Sequence, residues 1–192
     1  PMPFPSETIG QGCSYVITEY PDYAVIDKDR KSHCQYGRVL VDDYDYTFGR
    51  SVSYSLPISG VADGNGIVDI SFATNGLEKC DISLSVGGKS VSDFVIGANT
   101  SGEIGKLVSR TYNVTGCVSD NLSVNVTQKV KNNAVNGFLD YIRLNYTRRL
   151  ALYGSQTVFR GGESGEYATY KIAGCTSSVR VWDISSAVPR EL

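Results

Sequence analysis

Apolar and polar residues alternate with period two along most of this chain, and that rhythm restricts the fold more than any other feature. Val52, Tyr54, Leu56 and Ile58 alternate with Ser51, Ser53 and Ser55. Val68, Ile70 and Phe72 alternate with Asp69 and Ser71, Ile82, Leu84 and Val86 follow, and Leu122, Val124 and Val126 sit between Asn121, Ser123, Asn125 and Thr127. A strand turns successive side chains to opposite faces, so each stretch has one face for a core and one for water. Further strands are expected at Tyr15–Thr18, Tyr23–Ile26, Tyr36–Val41, Lys106–Val114, Phe138–Tyr146, Gln156–Arg160, Ala168–Ile172 and Ser178–Asp183. Turn signals separate them: Ala62-Asp63-Gly64-Asn65-Gly66, Asn75-Gly76, Gly87-Gly88, Asn136-Gly137 and Gly161-Gly162. No segment carries a 3.6-residue apolar stripe over three turns. The expected architecture is all-β, an antiparallel β-sandwich of jelly-roll, galactose-binding-like type.

At 192 residues the chain fits one domain, since all-β sandwiches run to this length undivided. Residues 1–14 read as an N-terminal arm or connector and residues 15–192 as a single β-sandwich domain. The formal charge is −2 with both signs dispersed, which leaves no basic stripe for nucleic acid. No apolar run reaches a membrane span, and Pro1-Met2-Pro3-Phe4-Pro5 shows neither the charged nor the apolar region of a signal peptide.

The five cysteines (Cys13, Cys34, Cys80, Cys117 and Cys175) form no C-x-x-C pair, and with one histidine they cannot build a familiar zinc site. Mostly free, buried thiols are expected. His33 and Cys34 are neighbours, but adjacent strand residues point to opposite faces, so no catalytic dyad is expected and no cofactor is implied.

Asp42, Asp43 and Asp45 gather three carboxylates in a short loop and are the candidate calcium ligands, set against their use as turn caps. Tyr44, Tyr46 and Phe48, with Tyr20 and Tyr23 nearby in sequence, are the candidate ligand-stacking aromatics, set against ordinary half-buried sandwich tyrosines. Asp140 shares strand parity with Phe138, Ile142, Leu144 and Tyr146, the more apolar face. A carboxylate there must be paired, hydrogen-bonded or at a strand end, so Asp140 and Tyr141 are assigned structural roles. The lone tryptophan, Trp182, is the candidate contact with a neighbouring domain. The sequons at Asn113, Asn121, Asn125 and Asn145 bear on function only in a eukaryotic secretory route.

In order and spacing, Tyr36-Gly37-Arg38-Val39-Leu40-Val41-Asp42-Asp43, Gly49-Arg50-Ser51-Val52-Ser53-Tyr54, Phe138-Leu139-Asp140-Tyr141-Ile142-Arg143-Leu144-Asn145, Val158-Phe159-Arg160-Gly161 and Val181-Trp182-Asp183-Ile184 resemble one known region. It is the β-rich segment ahead of the peptidase domain in PorU-type sortases of the type IX secretion system, whose peptidases are gingipain-like. The resemblance spans residues 36 to 192. It implies a non-catalytic accessory domain of a bacterial cell-surface, outer-membrane-associated cysteine endopeptidase of Bacteroidetes. The implied partners are the following peptidase domain, other secretion-system proteins and cargo sorting domains. The alternative is a carbohydrate-binding or adhesion module of a bacterial surface protein.

Overall fold

The computed structural model describes residues 15–33, 39–160, 168–176 and 179–191. Fourteen strands are described: β1 (Val16–Ile17), β2 (Glu19–Asp27), β3 (Lys31–Ser32), β4 (Leu40–Val41), β5 (Ser51–Leu56), β6 (Val61–Gly76), β7 (Cys80–Val86), β8 (Lys89–Ile96), β9 (Lys106–Val114), β10 (Leu122–Gln128), β11 (Val135–Arg149), β12 (Thr169–Tyr170), β13 (Trp182–Asp183) and β14 (Arg190–Glu191). By its contacts the chain forms two compact units; residues 1–14, expected as an arm or connector, lie outside the described residues. One unit is Pro21–Arg148, and the other joins the two ends of the chain, Pro1–Tyr20 and Arg149–Leu192. In the latter, β1 runs parallel to β12, and β13 pairs antiparallel with β14.

The larger unit is an antiparallel sandwich. Its sheets have strand orders β5-β10-β7-β8 and β2-β11-β6-β9, and from β5 to β11 the chain crosses repeatedly between them, as in a jelly roll. The alternation seen in the sequence becomes the inner faces. Tyr54, Leu56, Ile82, Leu84, Val86, Leu122, Val124 and Val126 from one sheet meet Val68, Ile70, Phe72, Ile142 and Leu144 from the other, all buried in one cluster. Each such side chain contributes about 1.5–3 kcal/mol on leaving water.

Gly87 and Gly88 join β7 to β8 with φ of 55° and 80°. Val86 and Lys89 are register partners, so this is a two-residue hairpin whose central residues both need positive φ, which glycine adopts freely. Strand β8 itself was not anticipated, although this Gly-Gly pair is its local signal.

Two turn signals lie inside strands. Residues 62–65 form an irregularity within β6: Tyr146 pairs with Gly66 while Arg148 pairs with Val61. The turn chemistry is present, since the Asn65 amide donates to the Asp63 carboxylate at 3.1 Å, but it makes a bulge instead of ending the strand. Asn136-Gly137 lies within β11. A Cβ on Gly137 would come within 2.1 Å of Gln128 Oε1 and 2.8 Å of the Phe72 ring, so this glycine answers to a close approach from the core. Gln156–Arg160, expected as a strand, has no strand structure. The Gly161-Gly162 signal lies outside the described residues, as do Tyr36–Arg38 and Ser178 from two further expected strands.

A second irregularity decides what the outer face of β11 carries. Leu139 pairs with Phe72 and Tyr141 with Ser71, which leaves Asp140 as the extra residue of a β-bulge. The expected parity of Phe138, Ile142, Leu144 and Tyr146 is therefore broken. Leu139 joins Ile142 and Leu144 in the main core, and Phe138 turns to the other face, packing with Val41 and Ala73.

Candidate functional site

The loop holding the candidate aspartates and aromatics follows β4 along the edge of β11. The Asp42 amide donates to the Leu139 carbonyl at 2.8 Å, and the Tyr46 amide to the Gly137 carbonyl at 3.0 Å. These bonds draw Asp42 and Tyr46 inward, and both are buried.

The three carboxylates go separate ways. Asp42 meets Lys28 Nζ at 3.5 Å. Asp43 is exposed and 3.6 Å from Arg30. Its carboxyl is held below the ordinary range, first by a hydrogen bond with Asp42 and further by Arg30. Asp45 caps its own turn, accepting from the Thr47 amide at 2.9 Å and from the Thr47 hydroxyl. Among the described residues no group of three or more His, Cys, Asp or Glu could hold a metal ion. The turn-cap chemistry weighed against calcium is what Asp45 displays.

The aromatics also divide. Tyr46 is a core residue, edge-on to Phe72 with ring centroids 5.1 Å apart. Its hydroxyl lies 2.7 Å from that of Tyr54, which is also hydrogen-bonded to Asp42. Of the two Tyr54 bonds, that to Tyr46 lowers the pKa of its hydroxyl and that to Asp42 raises it, so Tyr54 receives from Tyr46 and donates to Asp42. Burial pushes the Tyr46 hydroxyl far above the ordinary phenol range and Tyr54 up to about 12. Tyr20 is likewise buried. Exposed are Tyr23, Tyr44 (38%) and Phe48 (57%). Tyr44 stands edge-on to Tyr46 at 5.1 Å, and Phe48 has a left-handed backbone, φ 68°, a rare conformation for a bulky side chain. Of the expected stacking aromatics, Tyr23, Tyr44 and Phe48 are exposed, while Tyr20 and Tyr46 are buried.

Asp140 is the extra residue of the bulge, and Tyr141 follows it opposite Ser71. The charge of Asp140 reaches Asp27, whose carboxyl is raised by burial and then by Asp29 and Asp140. Trp182 pairs with Glu191 across the β13–β14 ladder and is 39% exposed. Of the described cysteines, Cys80 is buried, Cys117 intermediate and Cys175 exposed. Burial pushes the Cys80 thiol up to about 12, so it supplies no thiolate near neutral pH. Cys13 and Cys34 lie outside the described residues.

Sequence reasoning missed two arrangements on the outer face. One is the row Thr111–Asp69–Arg143 across β9, β6 and β11. The other is the setting of His33, which is 9% exposed and lies edge-on to Phe138 at 6.2 Å. Asp69 was legible as an outward residue, but its partners lie 42 and 74 positions away.

Compared along its full length, the chain superposes on the dimeric latent PorU from Porphyromonas gingivalis with a TM-score of 0.75 and 17% identity, covering 100% of this chain and 19% of that one. The chain has the fold of a PorU region. It spans about a fifth of the PorU chain. A family 35 carbohydrate binding module from an environmental isolate aligns over 66% of this chain and 88% of its own, with TM-score 0.44 and 16% identity. One from Clostridium thermocellum aligns over 65% and 96%, with TM-score 0.42 and 12% identity. No protein-family model matches the sequence, and no curated protein does. No helix among the described residues is long and apolar enough to cross a membrane.

Proposed function

We propose that this chain is a non-catalytic β-sandwich accessory domain of a PorU-like, gingipain-related cell-surface protease. In this role it positions the peptidase domain or binds secretion partners or cargo at the bacterial surface. The observation that carries this reading is the PorU likeness over 100% of the chain at TM-score 0.75, joined to the matching order of its sequence motifs. The non-catalytic part rests on chemistry: the Cys80 thiol is raised to about 12 and His33 is buried, whereas thiolate catalysis needs an activated sulfur within reach of a base.

The test is deletion of residues 15–191 from the full-length protein, followed by cleavage of cargo sorting domains. Processing should fall sharply while the peptidase remains folded and able to cut a short peptide. Unchanged processing overturns the accessory role. The isolated chain should show no peptidase or glycosidase turnover, and turnover abolished by His33→Ala would make it an enzyme. Saturable binding on a glycan array, lost with Tyr44→Ala and Phe48→Ala, would make it a carbohydrate-binding module instead.

A further inference from the structure

His33 directly follows β3, which pairs with β4 in a short ribbon through Lys31 with Val41 and Ser32 with Leu40. Its amide donates to the Val39 carbonyl at 2.9 Å, which holds the ring against the outer face of the sheet. There it meets Phe138 of the small cluster that also contains Val41 and Ala73, with Val39 packed on it. Lys31 Nζ lies 3.7 Å from the centroid of the same phenyl ring. One aromatic thus receives an ammonium and an imidazole from a single ribbon.

The imidazole is hydrogen-bonded to the Thr74 backbone, and Nε2 is buried without a partner. Nδ1 therefore carries the proton and donates, while Nε2 is a bare lone pair. A second proton would place a charged N–H donor in an apolar pocket, where an unpaired charge is far more costly than an unpaired neutral acceptor. Two charges act on the ring from the elements around it. Lys31 on its own ribbon opposes a positive imidazolium, and Asp140 on the β11 bulge favours one. Asp140 in turn stands near Asp27, which also feels Asp29. Burial is the largest influence, and the ring takes up a proton less readily than at the ordinary 6.5.

We infer that the β3–β4 ribbon is an acid-released latch: protonation of His33 lifts Lys31–His33 and Val39–Val41 off Ala73 and Phe138. When the latch is open, His33 meets water and titrates near 6.5. As pH falls below 6.5 the open form gains a proton first, so opening becomes more favourable until the closed form also protonates. Above about pH 7.5 the equilibrium no longer depends on this group. Each unit separating the two values multiplies the open population about tenfold. The inference does not rest on the proposed accessory role.

His33 is the sole histidine, so one ring resonance reports its titration in the intact chain. The companion measurement is hydrogen-exchange protection of the Arg30, His33 and Asp42 amides, which bond to Val41, Val39 and Leu139. Between about pH 7.5 and pH 5 their protection should fall about tenfold per unit of separation, while amides of β6 and β10 keep theirs. In His33→Phe, which fills the pocket and cannot titrate, ribbon protection should be independent of pH. In Lys31→Met, which removes the repelling charge, the ring should titrate higher than in the parent. The latch is overturned by equal ribbon protection at both pH values, by an equal fall in His33→Phe, or by a ring that titrates at 6.5 or above. Should His33→Phe fail to fold, the ring titration and ribbon protection of the parent chain decide between the two outcomes.

Discussion

Asp69 and Arg143 are direct register partners on β6 and β11, and the guanidinium grips one carboxylate oxygen through Nε at 3.0 Å and Nη2 at 2.8 Å. Thr111 on β9 donates to the other oxygen at 2.6 Å. Three strands of one sheet are thereby tied at a single row.

Burial opposes the charged form of Asp69, yet hydrogen bonds from Thr111 and Arg143, with the Arg143 charge, hold its carboxyl below the ordinary 3.8. A depressed value in the folded state means this stabilisation is present above pH 3.8 and is lost as pH falls through the folded value. Arg143→Ala should lower stability only modestly at neutral pH, because the arginine is exposed and its charge is screened by solvent. Asp69→Asn should flatten the acid limb of the stability–pH curve. Urea unfolding across pH checks both, and a limb of unchanged steepness in Asp69→Asn would count against this assignment.

The Tyr46–Tyr54–Asp42 chain predicts an alkaline effect of opposite sign. Both phenols are raised above 10.0, so their contribution is full below pH 10.0 and declines as pH climbs toward and beyond about 12, because the unfolded chain ionises first. Tyr46→Phe should cost about 1 kcal/mol, leaving Tyr54 bonded to Asp42. An absorbance titration should show these two tyrosines ionising only with unfolding. If all tyrosines ionise near pH 10 in the folded chain, the buried relay is refuted.

Thiol chemistry should separate the cysteines by position. Cys175 is exposed and Cys80 fully buried with its thiol raised to about 12. Brief alkylation at neutral pH, read by peptide mass mapping, should modify Cys175 and spare Cys80 until denaturant is added. Modification of both at equal rates would contradict this core packing.

Asp140→Asn removes a charge that raises Asp27. The Asp27 carboxyl should titrate closer to 3.8, with burial and Asp29 still holding it up, as followed by carbon NMR. A raised carboxyl disfavours the folded state once pH exceeds 3.8, so neutral-pH stability should hold or rise slightly. An unchanged Asp27 titration, or a marked loss of stability, would assign Asp140 a role other than this field effect.

Trp182 reports on docking under the proposed function. At 39% exposure the lone indole should be accessible to iodide in the isolated chain and shielded when the following peptidase domain is attached. Tryptophan is enriched among interface anchors. Equal quenching in both would leave the two domains merely tethered.

The sequence by itself determined the sandwich. Period-two alternation from Val52 to Val126 sorts side chains into core and surface without reference to any partner strand, since burial acts residue by residue. Gly87-Gly88 likewise carries its hairpin locally, because both positions need positive φ. The tertiary structure alone decided what depends on pairing. The bulge at Asp140 exists because β11 is read against β6, and that one extra residue sends Phe138 to the outer face. Gly137 answers to Gln128 and Phe72, and the bulge at 62–65 is absorbed by a strand that continues past its turn signal. The candidate site divides in the same way. Asp45 keeps the local turn role its sequence suggests, whereas Asp42 and Tyr46 are drawn inward by Lys28, Tyr54 and the edge of β11. Register and long-range polar pairing arise from contacts between segments far apart in the chain, which local patterning does not encode.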